Sequence, residues 1–95
     1  MAHFVLICLD KPGALDVRLA NREKHFAYLS DHPGVVRLGG PFLDDDGRMA
    51  GSMLVIEVAD RPAAEVFAAA DPYAVAGLFE RVEIRAWRPT VGALA

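Results

Sequence analysis

Residues 3–9, HFVLICL, and residues 53–58, MLVIEV, set the architecture of this chain. Both are short runs rich in large and β-branched residues, the composition of strands. In the first run Phe4, Leu6 and Cys8 alternate with Val5, Ile7 and Leu9, so both faces are apolar. In the second, Leu54, Ile56 and Val58 alternate with Met53, Val55 and a single polar residue, Glu57. A strand in an antiparallel sheet with one wet face alternates apolar with polar residues. These two runs do not, so each face of the sheet needs cover.

Working outward, Lys11-Pro12-Gly13 breaks the first strand. Residues 16–30 read as a helix: at about 100° per residue, Leu15, Leu19, Phe26 and Leu29 form one stripe. Arg22 falls inside that stripe, with Arg18 and His25 on its flank. His32-Pro33-Gly34 ends the helix. Residues 35–42 form a second strand, in which Gly39-Gly40 permits a bulge or a close approach and Pro41 suits an edge or a bulge instead of a central ladder. Asp44-Asp45-Asp46-Gly47 is a hairpin loop leading to the strand of residues 52–58.

Asp60 caps a second helix that has Pro62 in its first turn and Val66 and Phe67 on its buried side. Pro72 disfavours helical geometry at Asp71, so this helix stops at Ala70. A short helical turn over residues 72–78 precedes the last strand, residues 81–87, where Val82, Ile84 and Ala86 alternate with Glu83 and Arg85.

The order is βαββαβ in one domain spanning residues 1–95. It predicts an α+β, ferredoxin-like fold, an antiparallel sheet with two helices on one face. Two helices cover one face only, and a second copy of the chain is the economical cover for the other. The expectation is a homodimer.

Composition narrows the function. With 10 Lys and Arg against 13 Asp and Glu, the formal charge is −3, and the cations are scattered. Nucleic-acid binding rests on a concentrated basic surface, so no nucleic-acid partner is expected. The first apolar run is too short to cross a bilayer and lacks a basic leader, so neither a membrane association nor a targeting signal is expected. Cys8, the single cysteine, excludes an internal disulfide and a multi-cysteine zinc site and reads as a small core residue. A cytoplasmic location is the corresponding expectation.

Several segments together resemble the YCII-related (YciI-like) family. They are RLANREKHFAYL at 18–29, GGPF at 39–42, Gly51-Ser52, DPYAVAGL at 71–78 and the strand closing on Ala86-Trp87. The resemblance implies a dimeric α+β barrel, in which two ferredoxin-like sheets pack face to face. It also implies that a catalytic histidine and aspartate fall on His25 and Asp71.

An imidazole takes and returns protons near neutral pH, and a carboxylate on its other nitrogen fixes the tautomer. The competing reading of His25 is a boundary histidine on an amphipathic helix. Asp71 before Pro72 is also a good N-cap, worth roughly 1 kcal/mol, and one carboxylate can serve both ends. In the simplest βαββαβ arrangement, late helix one and the end of helix two are not automatic neighbours. Residues 72–78 or the partner subunit must bring His25 and Asp71 together.

Arg22 either binds a carboxylate or phenolate of a substrate or pairs with a core acid, since an unpaired buried charge is costly. Ser52 either offers its hydroxyl to a pocket beside Gly39 and Gly40 or satisfies a neighbouring backbone group. Arg18 and Tyr28 read as surface residues, and His3 and His32 as incidental. Tyr73 and Trp87 read as core or interface anchors. The three adjacent aspartates lack EF-hand spacing and suit a solvated hairpin, so no metal is expected. No phosphate-binding loop or nucleophile elbow is present, and no organic cofactor is expected.

Two functions fit. One is a cofactor-independent enzyme in which His25, oriented by Asp71, carries out elimination or isomerisation on a small polar or aromatic substrate. The resemblance supports this, because some members look like dehydrochlorinases of chlorinated quinols and related barrels include lactone isomerases and cofactor-free oxygenases. The other is a non-catalytic homodimer that binds a small ligand or supports another protein. A His25 that bonds a carboxylate and faces a cavity favours the first; a dry or backbone-capped His25 favours the second.

Overall fold

The computed structural model describes residues 1–93. Strand β1 (Ala2–Asp10) leads to helix α1 (Leu15–Ser30), then to the hairpin β2 (Val36–Leu43) and β3 (Met49–Val58). Helix α2 (Arg61–Ala70), the single turn α3 (Pro72–Val75) and β4 (Phe79–Trp87) complete the chain. The four strands form one antiparallel sheet in the order β2-β3-β1-β4, with the helices on one face, the expected ferredoxin-like α+β arrangement.

The breakers act where local chemistry requires. Asp60 accepts a hydrogen bond from Ala63 N–H at 3.0 Å and caps α2 with Pro62 just inside. In the β2–β3 turn, Asp44 accepts from the N–H groups of Asp46 and Arg48, and Gly47 takes φ +80°. Pro41 lies on β2, an edge strand, as a residue without an N–H requires. The register shifts of β2 fall between Val36 and Leu38 and between Phe42 and Leu43, flanking the glycines instead of falling on them. Gly39 has a packing reason, because a Cβ there would lie 2.5 Å from Cδ2 of Leu54.

Residues paired across strands share a face of the sheet. Phe4, Leu6 and Cys8 of β1 and Leu54, Ile56 and Val58 of β3 point toward the helices and are buried. Ala64, Phe67 and Ala68 of α2 close over them. Two alanines let this helix lie close to the sheet. Val66, expected on the buried side, is instead 69% exposed. It projects about 160° from Ala64 around the axis, so a helix that buries Ala64 and Phe67 must turn Val66 to solvent.

Helix α1 departs further from its sequence reading. Its buried residues are Arg18 and His25, whereas Leu19 and Phe26 of the apolar stripe are about half exposed. The helix is rotated by about 70° from the phase its apolar residues suggest. The cause is pairing. Asp10 and Asp71 each offer a carboxylate on the sheet side of α1, and Arg18 and His25 turn inward to meet them. Arg18 is therefore an interior residue, 3% exposed, and not the surface residue expected. Tyr28 is also not free on the surface: it is half-buried, and its hydroxyl donates to the Phe67 carbonyl at 2.9 Å, tying α1 to α2.

Candidate active site

The site begins with the junction between α2 and α3. Asp71 closes α2 and starts α3, accepting a hydrogen bond from Tyr73 N–H at 2.9 Å. The same carboxylate accepts from Nδ1 of His25, at 2.9 and 3.1 Å to its two oxygens. Both side chains are 7% exposed. Capping and pairing, the two roles weighed for Asp71, are carried out together by one carboxylate. The α3 turn reaches back to α1 and brings the pair together within one chain.

With Nδ1 committed to Asp71, the neutral imidazole carries its proton there and leaves a lone pair on Nε2. Nε2 has no hydrogen-bond partner among the described residues, and the ring lines a cavity of about 240 Å³ between α1 and the β2–β3 strands.

Tyr73 holds the ring in place. Its phenol stacks on the imidazole with centroids 4.1 Å apart and planes at 12°. The Arg18 guanidinium lies 4.7 Å from the same phenol ring. Arg18 and His25 are seven residues apart, two helical turns or about 10.5 Å along α1. Tyr73 fills the gap between them. It is buried, as an anchor should be, yet it also borders the cavity. Burial raises the pKa of its phenol; the charges of Arg18 and Arg22 oppose that rise, and Asp71 adds to it.

Arg18 donates from Nε and Nη2 to the two oxygens of Asp10 at 2.8 and 2.9 Å, a bidentate pair. Nη2 also donates to Ser52 Oγ at 2.9 Å. Burial disfavours the charged guanidinium, but the bonds to Asp10 and its charge outweigh it, so the pKa is raised overall. Ser52 is thus engaged by a side chain and not by the backbone, and it borders the cavity.

Arg22, placed by sequence in a buried stripe, is exposed. Its guanidinium lies 5.5 Å from the Phe26 ring and contributes to the cavity wall. Gly40 also borders the cavity, with open space where a Cβ would stand. His25, Arg22, Gly40 and Ser52 therefore meet at one cavity, and Asp71 stands behind His25.

Sequence reasoning missed Arg18 with its partner Asp10, and the stacking role of Tyr73. The signal for Arg18 was its spacing. Arg18 stands seven residues before His25, within about 20° of the same line on a helix, so burying one brings in the other.

Among the described residues no three His, Cys, Asp or Glu side chains converge as a metal site, and no helix is long and apolar enough to cross a membrane. His3 pairs loosely with Glu57 at 3.8 Å, and His32 bonds the Tyr28 carbonyl at 2.8 Å; neither lines the cavity.

Comparison with known proteins places this geometry in context. The family model of the YCII-related domain matches residues 2–88. Protein YciI of Escherichia coli O6:H1 is 31% identical over 93 residues, covering 90% of this chain and 95% of that protein. An uncharacterized protein of Haemophilus influenzae is 31% identical over 94 residues, covering 90% and 96%. Among solved structures, 5-chloro-2-hydroxyhydroquinone dehydrochlorinase (TftG) of Burkholderia phenoliruptrix AC1100, in complex with 2,5-dihydroxybenzoquinone, aligns with a TM-score of 0.83. It is 34% identical, with 90% of this chain and 93% of that chain covered. An antibiotic biosynthesis monooxygenase aligns with a TM-score of 0.59 at 14% identity, covering 96% and 100%, a likeness of fold alone.

Cys8 lies on the helix side of β1 and is buried. Burial pushes its thiol up to about 12 from 9.0; the charge of Asp71 adds to the rise, Arg18 opposes it, and Asp10 adds a little more. The fold therefore favours the protonated thiol. Its contribution to stability is complete below about pH 9 and is lost as pH climbs toward 12. Native protein at pH 8 should resist iodoacetamide for hours and react fully in urea. Stoichiometric labelling of the native state would contradict this placement.

Proposed function

The chain belongs to the YCII-related family, and from that premise we propose that it is a cofactor-independent enzyme in which His25 and Asp71 act as a general acid–base pair. The observation that carries the reading is the bond from Nδ1 of His25 to Asp71, with Nε2 left free at a cavity. A non-catalytic binding protein needs the cavity but gives no reason for a histidine so oriented.

The chemistry follows from the tautomer. Nε2 takes a proton from a substrate hydroxyl or from a carbon beside a carbonyl. The Asp71 carboxylate stabilises the imidazolium that forms. In an elimination, the electron pair left behind forms the new double bond, and the leaving group departs with its own bonding pair. In an isomerisation, the imidazolium returns the proton to a different atom. Tyr73 restrains the ring during both transfers. Ser52, fixed by Arg18, and the open backbone at Gly40 border the space where a substrate would sit.

The substrate class is a small polar or aromatic molecule. The similarity to a dehydrochlorinase of a chlorinated hydroxyquinol supports elimination first. The cavity, about 240 Å³, is smaller than the ~300–1,000 Å³ of drug-sized pockets.

We also propose that the working form is a homodimer. On the sheet face turned away from the helices, β1 presents Val5, Ile7 and Leu9, beside Met53 of β3 and Leu38 of β2, around a Val55 that the single chain already buries. Leu9 and Leu38 are 41% and 51% exposed in the single chain. The charged pairs Arg37–Glu57 and Arg85–Glu83 lie around this apolar centre. A patch of this kind is self-complementary across a two-fold axis, the commonest way for identical chains to associate.

The catalytic reading is tested by chloride release from chlorinated hydroxyquinols and by turnover of small lactones. His25→Ala should lower kcat by about 10²–10⁴-fold with little change in KM. Undiminished turnover in that variant would end the proposal. For the dimer, light scattering at micromolar concentration should give about twice 10.3 kDa, and Ile7→Glu should give a folded monomer. Wild-type protein running only as the 10.3 kDa species would refute it.

A further inference from the structure

The cavity carries a charge imbalance that the His25–Asp71 pair does not account for. Arg18, Arg22 and His25 line it, and no Asp or Glu does. The carboxylates that serve two of these three groups stand behind them, outside the lining. Asp10 holds Arg18 at 2.8 and 2.9 Å, and Asp71 holds His25. Arg22 has no counterpart. Among the described residues no carboxylate lies within 4.0 Å of its guanidinium, and its contact is the Phe26 ring. Its helical neighbours at three and four residues, Leu19, Arg18, His25 and Phe26, supply no acid either.

Arg18 is neutralised by Asp10, and Asp71 lies behind His25 outside the lining, so among the described residues Arg22 is the lining cation with no carboxylate on it, an exposed side chain at the rim. The walls beside it include Phe26, Leu29, Met49 and Leu54. Apolar walls focus the field of a charge at a cleft mouth, and hydrogen bonds from a guanidinium to an anion are roughly twice as strong as neutral ones. A neutral ligand gains nothing from this imbalance. A dianion would bring one negative charge too many into an apolar space.

We propose that the cavity selects small molecules bearing a single negative charge, such as an aromatic carboxylate or a phenolate, and that Arg22 is the residue that holds the charge. The proposal rests on the reading of this cavity as the substrate site. It does not require His25 to be the base.

Benzoate and its neutral isostere benzamide separate charge from shape. Both are titrated into the full-length protein at pH 7, with binding followed by amide NMR shifts. Ligands of this size bind at roughly millimolar concentrations. Benzoate should bind at least about five-fold more tightly than benzamide, a charge-assisted contribution of about 1 kcal/mol. Arg22→Gln, a change at an exposed position that leaves the core intact, should erase the preference by weakening benzoate alone. Arg22→Lys should retain most of it.

His25→Gln should keep the preference even where turnover is lost, so that failure of the acid–base reading is distinguishable from failure of this one. A preference that survives Arg22→Gln, or that disappears in His25→Gln, overturns the proposal. So does the absence of benzoate binding at 20 mM.

Discussion

The hydrogen bond between Nδ1 of His25 and the Asp71 carboxylate is the constraint on which the rest of the site depends. It joins the middle of α1 to the turn between α2 and α3, two places 46 residues apart in sequence. Each group satisfies the other in an interior where an unpaired imidazole or carboxylate would be costly. The bond also determines which nitrogen is left over. A histidine held by Nδ1 has only Nε2 to offer, and Tyr73 stacked on its face prevents the ring from turning away.

The same pairing explains the phase of α1. Leu19 and Phe26 remain half exposed so that Arg18 and His25 can reach Asp10 and Asp71. Buried polar and charged pairs of this kind are not an efficient source of stability, since desolvation offsets much of the attraction. Their value lies in placement. They line one side of a cavity with polar groups of fixed position, while β2 and β3 supply its other wall. The sheet thus has two unlike faces, one holding polar chemistry under the helices and the other, without a helix over it, with an apolar centre bordered by charged pairs.

How much of this was legible in the sequence depended on the range of the forces involved. The strand runs at β1 and β3, the Asp60 cap, the stop at Ala70 and the hairpin loop at residues 44–47 were readable because each is governed by local backbone chemistry. The phase of α1 was not. Hydrophobic periodicity assumes that apolar residues face inward, and it has no term for Asp10 or Asp71 waiting on another element. That omission sent Arg18 to the surface and Arg22 to the interior, the reverse of what is found. Val66 failed for a related reason, since alanines at 64 and 68 outweigh a larger side chain when close approach to the sheet decides the packing. His25 and Asp71 were named through family resemblance; the residues alone favoured a boundary histidine and a helix cap.

The most direct measurement of the central claim is the tautomer of His25, read from its imidazole ¹⁵N resonances at a pH where the ring is neutral. A proton fixed on Nδ1 and shared with Asp71, with Nε2 resonating as an unprotonated nitrogen, is the expected result. A proton on Nε2, or the averaged shifts of a ring exchanging freely between both forms, would contradict the account.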